Sequence, residues 1–231
     1  MGFLPDSFRT ACSMIASGDR DVYTAVWTSL RIAVGSVLLA SLVGIPAGLR
    51  MGLGDFPGKR LAVIVLNSLM AVPTVALGLV LYGLLSRAGP LGGLGLLFTP
   101  TAILIGQSCL AAPIVANYTL AAIKGADRRI LPTAMTLGAG PMQCILVLMR
   151  EVRFGMMAAV IAGFGRVVSE VGVAMMLGGN IRWYTRTMTT AIALETSKGE
   201  FAYGLALGII LLAISFSVNV VFSFLQESPS R

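Results

Sequence analysis

The stretch Tyr203–Leu225, YGLALGIILLAISFSVNVVFSFL, contains no charged residue. A helix needs about 20 consecutive apolar residues to cross the roughly 30 Å hydrocarbon core of a bilayer. Four other stretches meet this requirement: Ala25–Leu49, Leu61–Leu85, Thr101–Ile123 and Phe154–Leu177. None has the period of two of a strand, and lipid requires the backbone polar groups to bond within the segment. The sequence therefore predicts an all-α integral membrane protein with about five transmembrane helices.

Composition supports this assignment. Of 231 residues, 56% are hydrophobic and 12% are charged, with a mean hydropathy of +0.88. Soluble domains carry about 25% charged residues. The net charge of +7 fits basic cytoplasmic loops better than nucleic-acid binding. Histidine is absent and the three cysteines lack metal spacing, so we expect no metal site and no histidine-based catalysis.

Basic residues outside the spans predict the topology. The connections 50–60 and 124–153, with the tail, hold nine Lys and Arg, whereas the opposite side holds six. The richer side is expected to be cytoplasmic. This places residues 1–24 outside as an extracytoplasmic or interfacial segment, 25–225 as the transmembrane domain, and the loop 124–153 and the tail 226–231 in the cytoplasm. On 1–24, Phe8, Cys12, Ile15 and Ala16 are predicted to share a membrane-facing helical face.

The connection 124–153 is long for a small helical bundle and is patterned. Ile130–Pro132 predicts a break, Thr133–Leu137 has helical composition, and Gly138–Pro141 predicts its end. A short helix presented to the cytoplasm is suited to docking into a groove on a partner.

Thr133–Ala139 resembles the cytoplasmic "EAA" loop of ABC importer permeases, E-A-A-x₃-G. The glycine of that motif falls on Gly138 and its second alanine on Ala134, while Pro132 stands at the glutamate position. Leu148–Glu151 replaces the later I-x-L-P element. The resemblance implies that coupling to an ATPase involves six residues: Thr133, Ala134, Met135, Leu137, Gly138 and Ala139.

Phe164–Gly172, FGRVVSEVG, resembles the F-x-R-x-x-x-E-x-G element of molybdate, tungstate and sulfate permeases. The similarity extends from about Val22 to Leu225 and is greatest to tungstate-type permeases. It implies a type I ABC importer permease-like fold in the plasma (cell inner) membrane. It also implies a homodimer, a cytoplasmic ATPase dimer and an extracytoplasmic oxyanion-binding protein. The expected function is alternating-access import of an oxyanion, tungstate before molybdate.

This chain has no Walker-type G-x₄-G-K-[ST] motif, so ATP and Mg²⁺ are expected on the separate ATPase. We expect no cofactor bound by this chain and no catalysis by it. Two other classes stay open. One is a stand-alone membrane channel or secondary carrier, and the other is an intramembrane enzyme, for which Glu170 is the only acid well inside a span.

Arg166 and Glu170 are the charged pair inside the fourth span. They are four residues apart and share one helical face. A charge at mid-membrane costs from about 2.5 kcal/mol upward, so such residues usually face protein or water. Either Arg166 offers a cation to a passing oxyanion, or the two side chains neutralise each other structurally. With Asn180, they are the predicted residues of the translocation path or gate.

The outer connection contains Arg182 and Arg186, which are the predicted outer-mouth or binding-protein contacts. The stretch Ile181–Thr190 either folds back towards the outer mouth or forms a plain loop. Arg31 either snorkels to the outer interface or serves the pore mouth. Small residues are expected at close helix contacts, and polar groups in the spans at interhelical hydrogen bonds. The small residues include Gly35, Ser36, Gly44, Gly163, Gly165, Gly204 and Gly208, and the polar ones are Asn67, Gln107 and Asn117.

Overall fold

The computed structural model describes residues 2–227, and that part of the chain folds into α-helices and one 3₁₀ turn, with no strand. The helices are α1 (Phe3–Ala16), α2 (Arg20–Leu53), α3 (Lys59–Met70), α4 (Thr74–Leu85), α5 (Pro100–Gly125), α6 (Ile130–Thr136), α7 (Pro141–Glu151), α8 (Arg153–Val168), α9 (Gly172–Gly178), α10 (Met188–Ser197) and α11 (Phe201–Glu227). The 3₁₀ turn is Gly92–Leu94. The predicted tail lies outside the described residues from position 228 onward.

Three of these helices, α2, α5 and α11, are each long and apolar enough to cross a membrane alone. Two further spans are bent pairs: α3 with α4 at 98°, and α8 with α9 at 61°. Counting each pair as one span gives five, which confirms the predicted all-helical membrane architecture. Pro73 in the second span predicts a kink there, and the structure has a full break; the break in the fourth span was not predicted.

Proline explains one break but not the other. Pro73 precedes Thr74 at the start of α4, where its fixed φ and missing N–H end α3 and allow a new helix to begin. The α8–α9 break contains no proline. An interior proline removes a backbone hydrogen bond and is expected to kink a helix, yet Pro113 lies inside α5, which the structure keeps as one helix. Pro132, predicted to mark a break, lies in the first turn of α6, where a missing N–H does little harm.

The helix that contains the first predicted span begins before that span. Helix α2 begins at Arg20 rather than Ala25, because the Asp19 carboxylate accepts the backbone N–H groups of Asp21 (2.9 Å) and Val22 (3.1 Å). Its 34 residues extend about 51 Å, more than a bilayer core requires. The helix therefore projects beyond the membrane.

The N-terminal helix α1 packs against α11. The Phe3 and Phe201 ring centroids lie 5.3 Å apart, and Ala11 is fully buried. Of the four residues predicted to share one face of this segment, Phe8, Cys12 and Ala16 are exposed, whereas Ile15 packs against the core.

The core of the molecule is the contact between α2 and α5. A Cβ on Gly44 would lie 2.9 Å from the Ala112 carbonyl oxygen, and one on Gly48 would lie 2.6 Å from the Ala116 oxygen. Real Cβ atoms do not approach backbone that closely, so these two helices can pack at this distance only with glycine.

Of the other small residues predicted at helix contacts, Gly35, Gly163 and Gly204 also have side-chain atoms within 3.1 Å of where a Cβ would stand. Gly165 and Gly208 have no such neighbour within the described chain, so the prediction is wrong for contacts inside a single copy at these two positions.

We predict that Gly48→Ala lowers the free energy of unfolding by about 1–3 kcal/mol, because the added methyl forces α2 away from α5. Gly208→Ala in α11 is the matched control, since its methyl meets open space and adds helix propensity. Thermal unfolding of the purified variants in detergent measures both changes. Equal melting temperatures for the two variants would contradict the close-packing argument.

Candidate functional site: the paired helix breaks and the two ends of the bundle

The α8–α9 break is built around Glu170. Its side chain is 3% exposed, and its Oε2 accepts from Arg166 Nη1 at 2.6 Å. Its Oε1 accepts the Val173 backbone N–H at 3.2 Å, which caps the first turn of α9. Thr189 Oγ1 donates to the Glu170 carbonyl at 2.7 Å. The carboxylate and carbonyl that the break would otherwise leave bare are thus satisfied by protein groups.

This arrangement favours the structural interpretation of the pair in this conformation. Arg166 is 37% exposed, and its charge is directed at Glu170 rather than left free. The role of the pair in a path or gate stays a prediction.

The α3–α4 break packs onto the α8–α9 break through Gly172. A Cβ at that position would lie 2.9 Å from Thr74 Oγ1 and 3.3 Å from Glu170 Oε1. From there α4 runs along α9, where Gly78 lies against Met176 and Val173. Glycine at position 172 therefore brings the two broken spans together at the buried carboxylate.

Polar side chains of the second and third spans form interhelical hydrogen bonds, as predicted. Asn117 Nδ2 of α5 donates to Asn67 Oδ1 of α3 at 2.5 Å. Gln107 bonds to Ser36 Oγ of α2 and donates to the Val167 carbonyl of α8, both at 3.4 Å. These bonds tie α5 to α2, α3 and α8.

The outer connection folds back into the protein. Asn180 has a positive φ of 51°, and its side chain makes two bonds to Thr190, at 3.2 Å and 2.9 Å. Thr185 Oγ1 donates to the Gly178 carbonyl at 2.5 Å, and the Met188 N–H reaches Ser29 Oγ of α2 at 2.7 Å. Of the two alternatives for Ile181–Thr190, the structure has the fold-back.

Threonines hold this fold-back and were missed as a group by the sequence reasoning. Four of them are buried: Thr185, Thr187, Thr189 and Thr190. The sequence contains a sign of this cluster: four of the six residues 185–190 are threonine, and the stretch has no Gly, Pro, Asn or Asp that would indicate a turn. Buried hydroxyls require partners, so such a cluster predicts a packed loop rather than a free one.

The two outer arginines have different surroundings. Arg182 forms an ion pair with Asp21 at the start of α2, and this contact raises the pKa of the Arg182 guanidinium further. Trp183 Nε1 also donates to Asp21, at 2.6 Å. Arg186 is largely buried and pairs with Glu195 at 3.1 Å. Arg182 is therefore the more accessible of the two for the predicted binding-protein contact.

At the opposite end, α6 presents the predicted coupling residues. Met135 is 62% and Leu137 82% exposed, whereas Ala134 is buried against the rest of the chain. Gly138 ends the helix with a φ of 84°, and the Ala139 N–H closes the turn on the Ala134 carbonyl at 3.0 Å. The helix therefore turns an apolar tip outward.

A groove of about 500 Å³ adjoins that tip, between α6 and α7, and Thr133, Leu137 and Val147 are among its lining residues. At one end of the groove, the Arg129 guanidinium bonds to Asp127 at 2.9 Å and lowers the pKa of that carboxyl. Among residues 2–227, no group of three or more acid, Cys or His side chains is placed to hold a metal ion.

We predict that Arg166→Met destabilises the protein by about 3 kcal/mol, because it leaves a buried carboxylate without its counter-charge. Arg166→Met with Glu170→Gln keeps the acceptor for the Val173 N–H and removes the stranded charge. The double variant is expected to unfold close to the wild-type temperature. A double variant as unstable as the single one would show that the pair does not behave as a compensated charge.

Comparison with known proteins agrees with this architecture. The tungstate uptake system permease protein TupB of Peptoclostridium acidaminophilum is 41% identical over 227 residues, covering 98% of this chain and 100% of that protein. TupB of Campylobacter jejuni subsp. jejuni is 40% identical over 228 residues, covering 99% and 95%. The molybdenum transport system permease protein ModB of Azotobacter vinelandii is 31% identical over 211 residues, covering 86% and 91%.

Among solved structures, an inward-facing MetNI methionine ABC transporter superposes with a TM-score of 0.75 at 18% identity, covering 90% of this chain and 95% of that one. This likeness supports the fold of an ABC importer permease. The family model described as "Binding-protein-dependent transport system inner membrane component" matches residues 44–230. The chain therefore belongs to the family of inner-membrane components of binding-protein-dependent transport systems.

Proposed function

We propose that this chain is the membrane-spanning permease subunit of an ABC importer for tungstate. The observation that carries the proposal is the identity of about 40% to two tungstate uptake permeases over nearly the full length of all three chains. Molybdate is the second candidate, favoured by the 31% identity to a molybdenum transport permease. The subunit moves the anion without changing its chemistry.

The path would lie between two copies of the chain. Asn67 is exposed on α3, Ser169 at the end of α8, and Arg166 is partly exposed, all on the two broken spans. Polar groups facing lipid at membrane depth are costly, so such a surface is better placed against water or protein. A homodimer that encloses these groups would provide a water-filled route, and the ion pair at Arg166 would keep any anion contact transient.

Coupling to a separate ATPase would occur at α6. The ends of α2 and α5 and the start of α8 meet there in one apolar cluster, which includes Ile123, Leu148 and Val152. Movement of α6 would thus be transmitted to three spans together. ATP and Mg²⁺ would act on the ATPase dimer, and an extracytoplasmic binding protein would deliver the anion near Arg182.

The distribution of charge supports the proposed orientation. Basic residues surround the α6 end, where Lys124 and Arg128 line a second groove beside α2. Outer-end acids and bases are balanced in one cluster: Asp21, Arg182, Arg186, Glu195, Lys198 and Glu200. The positive-inside rule then places the α6 end in the cytoplasm, the N-terminus outside and the C-terminus inside.

We expect mass spectrometry of the tagged, gently solubilised complex to find two copies of this chain with two copies of a P-loop ATPase. In vesicles with its binding protein, tungstate should stimulate ATP hydrolysis at lower concentration than molybdate, and sulfate should require the most. If the chain purifies without an ATPase, or if none of these anions stimulates ATP hydrolysis, the stand-alone channel or carrier becomes the favoured function.

We predict that Leu137→Ser weakens binding of the ATPase by about 2 kcal/mol, roughly 30-fold, since it removes an exposed apolar anchor from α6. Leu91→Ser is the control, because Leu91 is also exposed but lies in the connection between α4 and α5 at the other end. Co-purification and uptake are the measurements. Uptake by the Leu137 variant at the wild-type rate would exclude α6 as the docking helix.

A further inference from the structure

A pocket of about 220 Å³ lies between α2, the start of α5 and the outer connection. Its polar lining consists of Thr28 and Arg31 of α2, Thr101 of α5 and Tyr184 of the outer connection. No carboxylate lines it. It lies apart from the Arg166–Glu170 pair, and nothing in the proposed transport function assigns it a role.

The four polar groups share one property: none forms a side-chain hydrogen bond or an ion pair with any other group in residues 2–227. The residues that line this one space carry three hydroxyls and a guanidinium with five N–H groups, and no acid lines it. Arg166, Arg182 and Arg186 differ from Arg31 in this respect, since each has a carboxylate partner.

Arg31 is exposed, and the exposed surface beside it on α2 is apolar. Trp27, one turn towards the outside, is 62% exposed, and Val34 and Leu38 on the same side of α2 are 48% and 62% exposed. Tryptophan next to an apolar face is typical of the membrane–water interface. A cation at the edge of the hydrocarbon is stabilised by an anion beside it.

We propose that this pocket binds a tetrahedral oxyanion, held by the Arg31 guanidinium and the surrounding hydroxyls. The planar fork of arginine matches two oxygens of such an anion, and the hydroxyls can donate to the others. The volume is below the roughly 300–1,000 Å³ of sites for drug-sized ligands, which favours a small anionic group. The same chemistry is offered by free tungstate or phosphate and by the phosphate of a phospholipid headgroup.

Snorkelling is the simpler account of Arg31, but it explains only the charge. A side chain that merely reaches water needs no pocket shared with hydroxyl residues of α5 and the outer connection. The shared pocket of Arg31, Thr101 and Tyr184 is what distinguishes a site from a surface cation.

The test uses the full complex as wild type, Arg31→Gln, Thr101→Val and the control Arg87→Gln, which alters another arginine of the outer side. Each sample is delipidated in detergent and equilibrated with sodium tungstate or inorganic phosphate, and bound anion is measured by equilibrium dialysis. Separately, each is reconstituted with phosphatidylglycerol, and lipid that remains after detergent washing is quantified per chain.

For a free anion, we expect saturable binding that Arg31→Gln weakens about tenfold or more and Thr101→Val several-fold, with Arg87→Gln unchanged. For a lipid headgroup, retained phosphatidylglycerol should fall by one molecule per chain in Arg31→Gln alone. Either result supports the site and identifies its source. If Arg31→Gln matches wild type for both ligands, the arginine only snorkels and the proposal is overturned.

The outcome is independent of the transported substrate. Arg31-dependent binding in a complex that tungstate fails to stimulate would refute the proposed substrate while leaving this site in place. If tungstate stimulates ATP hydrolysis but no binding depends on Arg31, the proposed substrate stands and the proposed site is refuted.

Discussion

The rest of the structure depends on the close approach of α2 and α5. At Gly48 the backbones are so near that a Cβ would stand 2.6 Å from the Ala116 carbonyl oxygen. In lipid, helices associate by van der Waals packing and interhelical hydrogen bonds rather than by apolar burial, so glycine contacts of this kind supply much of the cohesion. With α2 and α5 held as one unit, α5 can then support the broken spans on its other sides through Asn117 and Gln107.

The break in the fourth span is possible at membrane depth because the carboxylate and the carbonyl of Glu170 both have hydrogen-bond partners. Glu170 caps α9 with one carboxylate oxygen and pairs with Arg166 through the other. Thr189, from the folded-back outer connection, donates to the Glu170 carbonyl. This dependence joins two features that are far apart in the sequence: the fourth span can bend where it does because the outer connection returns to it.

Much of this could be predicted from the sequence, because hydrophobic length and charge act locally. Tyr203–Leu225 predicts a span without knowledge of its neighbours, and the spacing of Arg166 and Glu170 predicts a shared face. The breaks could not be placed in the same way. Pro73 and Pro113 look alike in sequence, yet only the first lies at a helix break, whereas Pro113 stays inside α5, whose residues are mostly buried. The contact between the fold-back at Thr185–Thr190 and the fourth span could not be predicted without knowing that the Glu170 carbonyl needs a hydrogen-bond donor.

The distribution of charge is compatible with the proposed anion path. A strong, fixed cation in the middle of the membrane would hold a dianion too tightly for it to pass, and Glu170 offsets the charge of Arg166. Arg182 and Arg186 are likewise compensated, by Asp21 and Glu195. In the proposed path, neutralised arginines would give a passing anion brief contacts but no net driving force. Directed movement would then have to come from rearrangement of the spans, and the proposed source of that work lies outside the membrane, at the exposed tip of α6.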